Sequence, residues 1–387
     1  MLSRRQFLQI SAACTASALC ASLPRFAQAQ ETFESRVIFD ESLSWVTEHS
    51  AHSMCQRMKQ AGFNVVMPCV WHGRGTSWPS NLAPWDSYKL DEMARWNSSF
   101  DPLGKLVEIA AQYQIEVHPW FNVTLRQREF LPHFYGPGTP ADAFDVHRPD
   151  FRTFISNLMI ECVSRYPVHG INLDYIRSVS ICQSPECARQ YHPHTNRNLM
   201  LDRLSYGASA DAREAIADWN EQAVGDIVRR VSSHLRKNQP NVLISLCGHP
   251  GHPNLYIQGQ KSIKWADEGL IDVVYDMRYP AEPNWEEIRS VQKTMKRPEA
   301  YAVLIGNYDL AGAHQISVSS SGARVAAQIV RSRQVAPGNG VGVYLYSLLN
   351  DEQITALRSG PFQTPASPKW SRAKGLDLST PTGLLVQ

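Results

Sequence analysis

The stretch Gly170-Ile171-Asn172-Leu173-Asp174-Tyr175-Ile176-Arg177 ends a short apolar run with a carboxylate, a phenol and a guanidinium. A carboxyl group so placed can deliver a proton or attack an electrophilic carbon, and a neighbouring cation favours its ionised form. Other short apolar runs end in similar residues: Asp40 and Glu41, Trp71 and His72, His118 with Trp120 and Asn122, His249, Asp276 with Arg278 and Tyr279, Asn307 with Asp309, and Tyr346. Cleavage of a glycosidic bond needs two carboxyl groups. One protonates the leaving oxygen, and the other attacks the anomeric carbon or activates water. Asp174 is the leading catalytic candidate, with Asp276 or Glu41 as its partner and Asp309 in reserve. Arg177 beside Asp174 is expected to keep that carboxylate ionised. The substrate-binding set is then Trp71, His72, His118, Trp120, Asn122, Tyr175, Arg177, His249, Arg278, Tyr279 and Tyr346.

Such groups can act together only if their strands end on one face, which is the property of a parallel (β/α)8 barrel. The chain reads as that repeat. Strands are predicted at Val37–Phe39, Phe63–Val70, Ile115–Phe121, Gly170–Ile176, Val242–Cys247, Asp272–Tyr279, Tyr301–Gly306 and Val341–Tyr346. Helical spacing recurs between them, most clearly over Ala212–Arg236, where Ile216, Trp219, Ala223, Ile227, Val231 and Leu235 return every three or four positions. Asp101-Pro102 and Pro149 open helices at positions where proline's missing donor costs nothing. Long aromatic, Pro- and Gly-bearing loops follow strands two and three, and the longest insertion, ending near Asp211, follows strand four. A doubly wound sheet is disfavoured, because Asp40-Glu41-Ser42 stands where its glycine-rich phosphate turn would lie. The fold class is therefore α/β, a TIM barrel with long βα loops.

Three segments follow: a leader over 1–29, the barrel over 30–362, and an extended or disordered tail over 363–387. The leader has Arg4-Arg5, an alanine-rich apolar stretch and Ala27-Gln28-Ala29, the pattern of a twin-arginine signal peptide. It implies handling by the twin-arginine export machinery and a periplasmic or secreted product. No later apolar run approaches the ~20 residues of a membrane span. With 38 basic against 36 acidic residues and no basic stripe, nucleic acid is not an expected partner. Ten tryptophans and fourteen tyrosines suit stacking on sugar faces, so an oligo- or polysaccharide is.

No cofactor is expected. Convergence of His72, His118, His249 and Asp174 on a metal, for a deacetylase or amidase, is a competing reading that lacks a compact motif such as His-Glu-x-x-His. A non-catalytic glycan-binding barrel is the other. Cys182 and Cys187 suggest a local disulfide or free thiols, with zinc the lesser alternative because no second half of a ligand set stands at the usual spacing.

His118-Pro119-Trp120-Phe121-Asn122 and Gly170-Ile171-Asn172-Leu173-Asp174-Tyr175-Ile176-Arg177 together resemble the third- and fourth-strand motifs of the bacterial glycosyl hydrolase-like family ten. The resemblance implies a barrel over residues 35 to 360, a glycan substrate and Asp174 as the principal catalytic residue. The chain departs from that pattern at Ser178-Val179-Ser180 and at Asp276-Met277.

Overall fold

The computed structural model describes residues 32–370 apart from 128, 313 and 339. The predicted leader and most of the predicted tail lie outside them. Parallel strands occupy eight positions of a closed barrel. These are β1 (Ser35–Asp40), β2 (Val65–Trp71), a third position split into β3 (Glu116–Val117) and β4 (Trp120–Asn122), β5 (Gly170–Asp174), β6 (Leu243–Gly248), β7 (Val273–Arg278), β8 (Tyr301–Gly306) and, after the hairpin β9 (Tyr308–Ala311) with β10 (Ile316–Ser319), β11 (Gly340–Tyr344). Pairing of β1 with both β2 and β11 closes the ring. The split in the third strand falls at Pro119, which has no N–H to give to a ladder.

Around the barrel run α1 (Glu48–Ala61), α2 (Leu90–Trp96), α3 (Pro102–Gln112), α4 (Pro149–Arg165), α5 (Pro185–Thr195), α6 (Leu199–Ser205), α7 (Ala210–Asn238), α8 (Pro253–Ile257), α9 (Ser262–Asp267), α10 (Trp285–Thr294), α11 (Gly322–Val335) and α12 (Asp351–Ser359). Their starts follow local chemistry. Thr47 and Ser50 form a reciprocal capping box for α1, and Asp101, Ser184 and Ser209 accept first-turn N–H groups of α3, α5 and α7. The insertion after the fourth strand, expected as polar loop, contains α5 and α6. Pro193, flanked by His192 and His194, interrupts the helical spacing of α5.

Strand alternation sorts the core into two compartments. Val37, Phe39, Met67, Cys69, Trp120, Cys247, Tyr275 and Leu304 fill the barrel interior. Ile38, Val66, Phe121, Ile171, Leu173, Val274 and Val303 belong to the outer layer, packed with helix residues such as Met58, Leu106, Ile155 and Val228. At the amino end of the barrel, Trp370 donates its indole N–H to Glu116 Oε2 at 2.6 Å, and its ring lies 5.3 Å from that of His118. Part of the segment read from sequence as the start of an extended tail thus packs here: Pro368 and Trp370 are buried, and Ser367 is bridged to Phe33.

Candidate active site

The inward parity of β5 carries Asn172 and then Asp174 up the barrel wall, with Asp174 at the carboxyl end opposite Asn122 in the register. Asn172 is buried beneath it, donating from Nδ2 to Ser245 Oγ at 2.9 Å, with Cys247 Sγ 3.4 Å from its Oδ1. Asp174 is only 6% exposed, and the Tyr175 N–H donates to its Oδ1 at 2.6 Å. Tyr175 has φ +47°, a conformation a tyrosine adopts at a cost. The turn is held by the Thr124 hydroxyl, 2.6 Å from the Tyr175 carbonyl and 2.7 Å from that of Arg177. The Arg177 guanidinium lies 4.2 Å over the Tyr175 ring.

Burial raises the pKa of Asp174; Arg177, the Tyr175 N–H and the Trp120 indole pull it down without cancelling that effect, and the charge of Glu41 adds to the rise. Arg177 acts in the expected direction, favouring the ionised carboxylate, but desolvation outweighs it. A carboxyl group in this setting holds a proton to higher pH than a free one.

Glu41 follows β1 by one residue and is exposed. The His72 ring hydrogen-bonds its backbone oxygen at 2.9 Å, which fixes where the β1 loop leaves the barrel. Glu41 also reaches Tyr344, whose phenol pKa is raised first by burial and then by the charge and hydrogen bond of Glu41. Tyr344 stacks on Tyr279 at 5.0 Å, stands edge-on to Tyr308 at 6.1 Å, and lies 6.3 Å from Trp120. Asp174 and Glu41 thus face one another electrostatically across a mouth walled by Trp120, Tyr175, Tyr279, Tyr308 and Tyr344. Two groups at this mouth, Asn122 Oδ1 and Arg177 Nη1, are buried without a hydrogen-bond partner.

Several expected members lie elsewhere. Asp276 is the main correction. On β7 the inward side chains are Val273, Tyr275 and Met277, so Asp276 points outward into the helix layer. There its Oδ2 accepts from Arg278 Nε at 2.9 Å and from the Tyr301 hydroxyl, and Arg278 Nη1 reaches Glu287 of α10 at 3.0 Å. Arg278 shares that outward parity and is spent on this ion-pair network. His249 joins the same side, 3.9 Å from Glu287. Burial, Arg278 and His252 lower its pKa to about 4.

His118 lies on the floor, 3.1 Å from Glu116 Oε2, four residues and so about 13 Å of strand rise below Asn122. Trp71 is fully buried in the outer layer against Phe130, Phe144 and Phe154, where a register shift in β2 turns it away from the mouth. Tyr346 follows the end of β11, where the backbone enters a single helical turn beside Arg57 and Asp40. His72 positions Glu41 rather than facing the mouth with its ring. With His118 on the floor and His249 beside Glu287, the four proposed metal ligands do not converge.

Sequence reading missed Tyr344, Tyr308, Asn172 and Cys247. Tyr344 and Tyr308 had a signal in strand alternation: Gly342 and Tyr344 share the inward parity of β11, and Leu304, Gly306 and Tyr308 continue that of β8.

The chain matches the family model described as Glycosyl hydrolase-like 10 over residues 37–133 and 138–307. It is 23% identical over 207 residues to glycosyl hydrolase DigH of Escherichia coli strain K12, covering 48% of this chain and 44% of that protein. It is 22% identical over 259 residues to glycosyl hydrolase YngK of Bacillus subtilis strain 168, covering 57% of this chain and 46% of that one. The matched region spans less than half the length of either relative. Among solved structures, the PgaB (BpsB) glycoside hydrolase domain from Bordetella bronchiseptica superposes with TM-score 0.59 at 14% identity, covering 84% of this chain and 98% of that one. The catalytic domain of β-amylase from Paenibacillus polymyxa does so with TM-score 0.54 at 10% identity, over 86% and 98%. The shared fold is the TIM barrel.

Proposed function

The chain belongs to the glycosyl hydrolase-like 10 family, and from that premise we propose that it is an exported glycoside hydrolase cleaving O-glycosidic bonds of a bacterial polysaccharide, either an exopolysaccharide or a cell-wall glycan. One observation carries the reading. A buried carboxyl group with a raised pKa, Asp174, and a second, exposed carboxylate, Glu41, act on one another at the carboxyl end of the barrel. Asp174 then serves as the acid that protonates the departing glycosidic oxygen. Glu41, held by Tyr344 and by His72 at its backbone, attacks the anomeric carbon or activates water. Asn122 Oδ1 and Arg177 Nη1 are unpaired buried groups that sugar hydroxyls would satisfy, and an unpaired buried group is costly enough to favour a ligand that pairs it. The tyrosines and Trp120 offer flat faces to the sugar rings. Export to the periplasm or beyond rests on the Arg4-Arg5 leader pattern.

The test is reducing-end release from a panel of bacterial exopolysaccharides and cell-wall glycans by wild type and Asp174→Asn. The variant should lose at least about 100-fold in rate, the low end for removing a positioned acid. Its thermal midpoint at neutral pH should stay level or rise, because the fold disfavours the ionised carboxylate it replaces. An active Asp174→Asn protein would remove the assignment. Glycan binding with no turnover by wild type would leave the mouth as a recognition site.

A further inference from the structure

Apart from the residues that wall the barrel mouth, four metal-binding side chains from two loops meet in a buried cluster. Asp145 and His147 end the loop between β4 and α4, and Cys182 and Cys187 lie after β5, Cys187 in the first turn of α5. Ligand atoms of Asp145, Cys182 and Cys187 all lie within 4.8 Å of one another. His147 Nδ1 is 3.4 Å from Asp145 Oδ1 and 3.6 Å from Cys187 Sγ, while Cys187 Sγ is 3.7 Å from each Asp145 oxygen. All four residues are at least nine-tenths buried.

We propose that Asp145, His147, Cys182 and Cys187 form a structural zinc site that clamps the loop after the third barrel strand to the loop after the fourth. Tetrahedral zinc with bonds of ~2.3 Å to sulfur and ~2.0–2.1 Å to nitrogen and oxygen places neighbouring ligands about 3.4 Å apart for N and O and about 3.6 Å apart for S with N or O. Three of the observed edges therefore match a zinc tetrahedron. The two sulfurs, at 2.8 Å, are closer than the ~3.8 Å such a tetrahedron requires and must separate on binding.

A disulfide is the alternative occupant, and the surroundings argue against it. Bridging the sulfurs would leave the buried carboxylate and imidazole only one another, at 3.4 Å, beside a group that neither donates nor carries charge. A cation accounts for all four. The supports are of the kind a metal site needs. The His147 ring is held flat on Trp219 of α7 at 3.5 Å and 7°, its backbone N–H donates to Asp145 Oδ1 at 3.0 Å, and Ser184 lies 3.4 Å from Cys182 Sγ while accepting the Cys187 N–H at 3.0 Å. Four protein ligands leave no open position, so the site is structural rather than hydrolytic. Binding expels the two thiol protons and makes metal affinity part of folding stability. The clamped segments flank Asp174, Tyr175 and Arg177, yet the zinc proposal stands whether or not the mouth hydrolyses glycans.

The test uses the full chain purified without chelators. Elemental analysis should find one zinc per molecule, and replacement by cobalt(II) should give a thiolate-to-cobalt charge-transfer band with the intense visible bands of a tetrahedral site. Cys182→Ser combined with Cys187→Ser should abolish both, and Asp145→Asn should weaken zinc at least about 10-fold. A strong chelator should lower the thermal midpoint of wild type. Wild type with no zinc and a mass two hydrogens short, marking a disulfide, would overturn the proposal, as would two alkylatable thiols in a protein that takes up neither metal. These wild-type measurements do not depend on whether the variants fold.

Discussion

Asp276→Asn separates a carboxylate of the helix layer from one of the barrel mouth. Burial raises the pKa of Asp276 from 3.8 to about 6, against the pull of Arg278 and Tyr301. Since the folded value lies above the unfolded one, the folded protein binds the extra proton. That contribution is fully present below pH 3.8 and is lost as pH rises through about 6. A displacement of roughly two units corresponds to about 3 kcal/mol. Asparagine is neutral at every pH and keeps an acceptor oxygen for Arg278 and Tyr301, so it should escape the loss. Urea unfolding of both proteins from about pH 4 to pH 7 should therefore show the stability difference moving by about 2.4 kcal/mol in favour of the variant, most of the full displacement. Hydrolysis at neutral pH should remain within a few-fold of wild type. Asp276→Ala, by contrast, strips Arg278 and Tyr301 of a shared acceptor and should cost about 3–5 kcal/mol. A pH-independent stability difference together with a 100-fold loss of hydrolysis in Asp276→Asn would refute the outward placement and return Asp276 to the catalytic pair.

Further outcomes concern the mouth and the floor. Glu41→Gln removes a charge that raises the pKa of Asp174, so the alkaline limb of the residual rate should move to lower pH; an unmoved limb would mean that the two carboxyl groups do not interact. Tyr344→Phe deletes the phenol bonded to Glu41 and should lower the rate about 10-fold or more while changing stability by less than about 1 kcal/mol, since the stacked ring remains; calorimetry beside the rate assay checks both. Trp370→Ala removes a buried indole and its bond to Glu116 and should destabilise by about 3–5 kcal/mol, read by urea unfolding, with KM unchanged.

The barrel was legible because its evidence is repeated. Eight short apolar runs, each followed by helical spacing, leave few architectures open, and a misplaced boundary does not alter the count. The mouth was legible where a side chain's parity could be read within one strand: Asp174 and Asn172 are two apart in β5, and Asp174 points inward. The same rule applied to β7 would have removed Asp276, since the large apolar Tyr275 and Met277 on either side of it claim the interior. His118 shows a different limit. It has the inward parity, but a strand crosses the full height of the barrel, and parity alone does not say whether a residue lies at the mouth or the floor. Register with Glu116 and Trp370 decides that, and Trp370 is 252 positions away.

Distance along the chain also hid the Cys182 and Cys187 cluster. Asp145 and His147 precede the thiols by more than thirty residues, across a helix and a strand. Only closure of the barrel brings the loops after the third and fourth strands together, because adjacent parallel strands emit their loops from the same end. That geometry assembles Asp174 with Glu41 as well, through β1 and β5. Alternation and strand ends were enough to offer Glu41 as one of two partners for Asp174, whereas nothing near Cys182 and Cys187 in the sequence pointed to Asp145 and His147. A residue is drawn into such a cluster by the direction its strand or loop imposes, so predictions from the sequence hold where direction follows from alternation and fail where it depends on register.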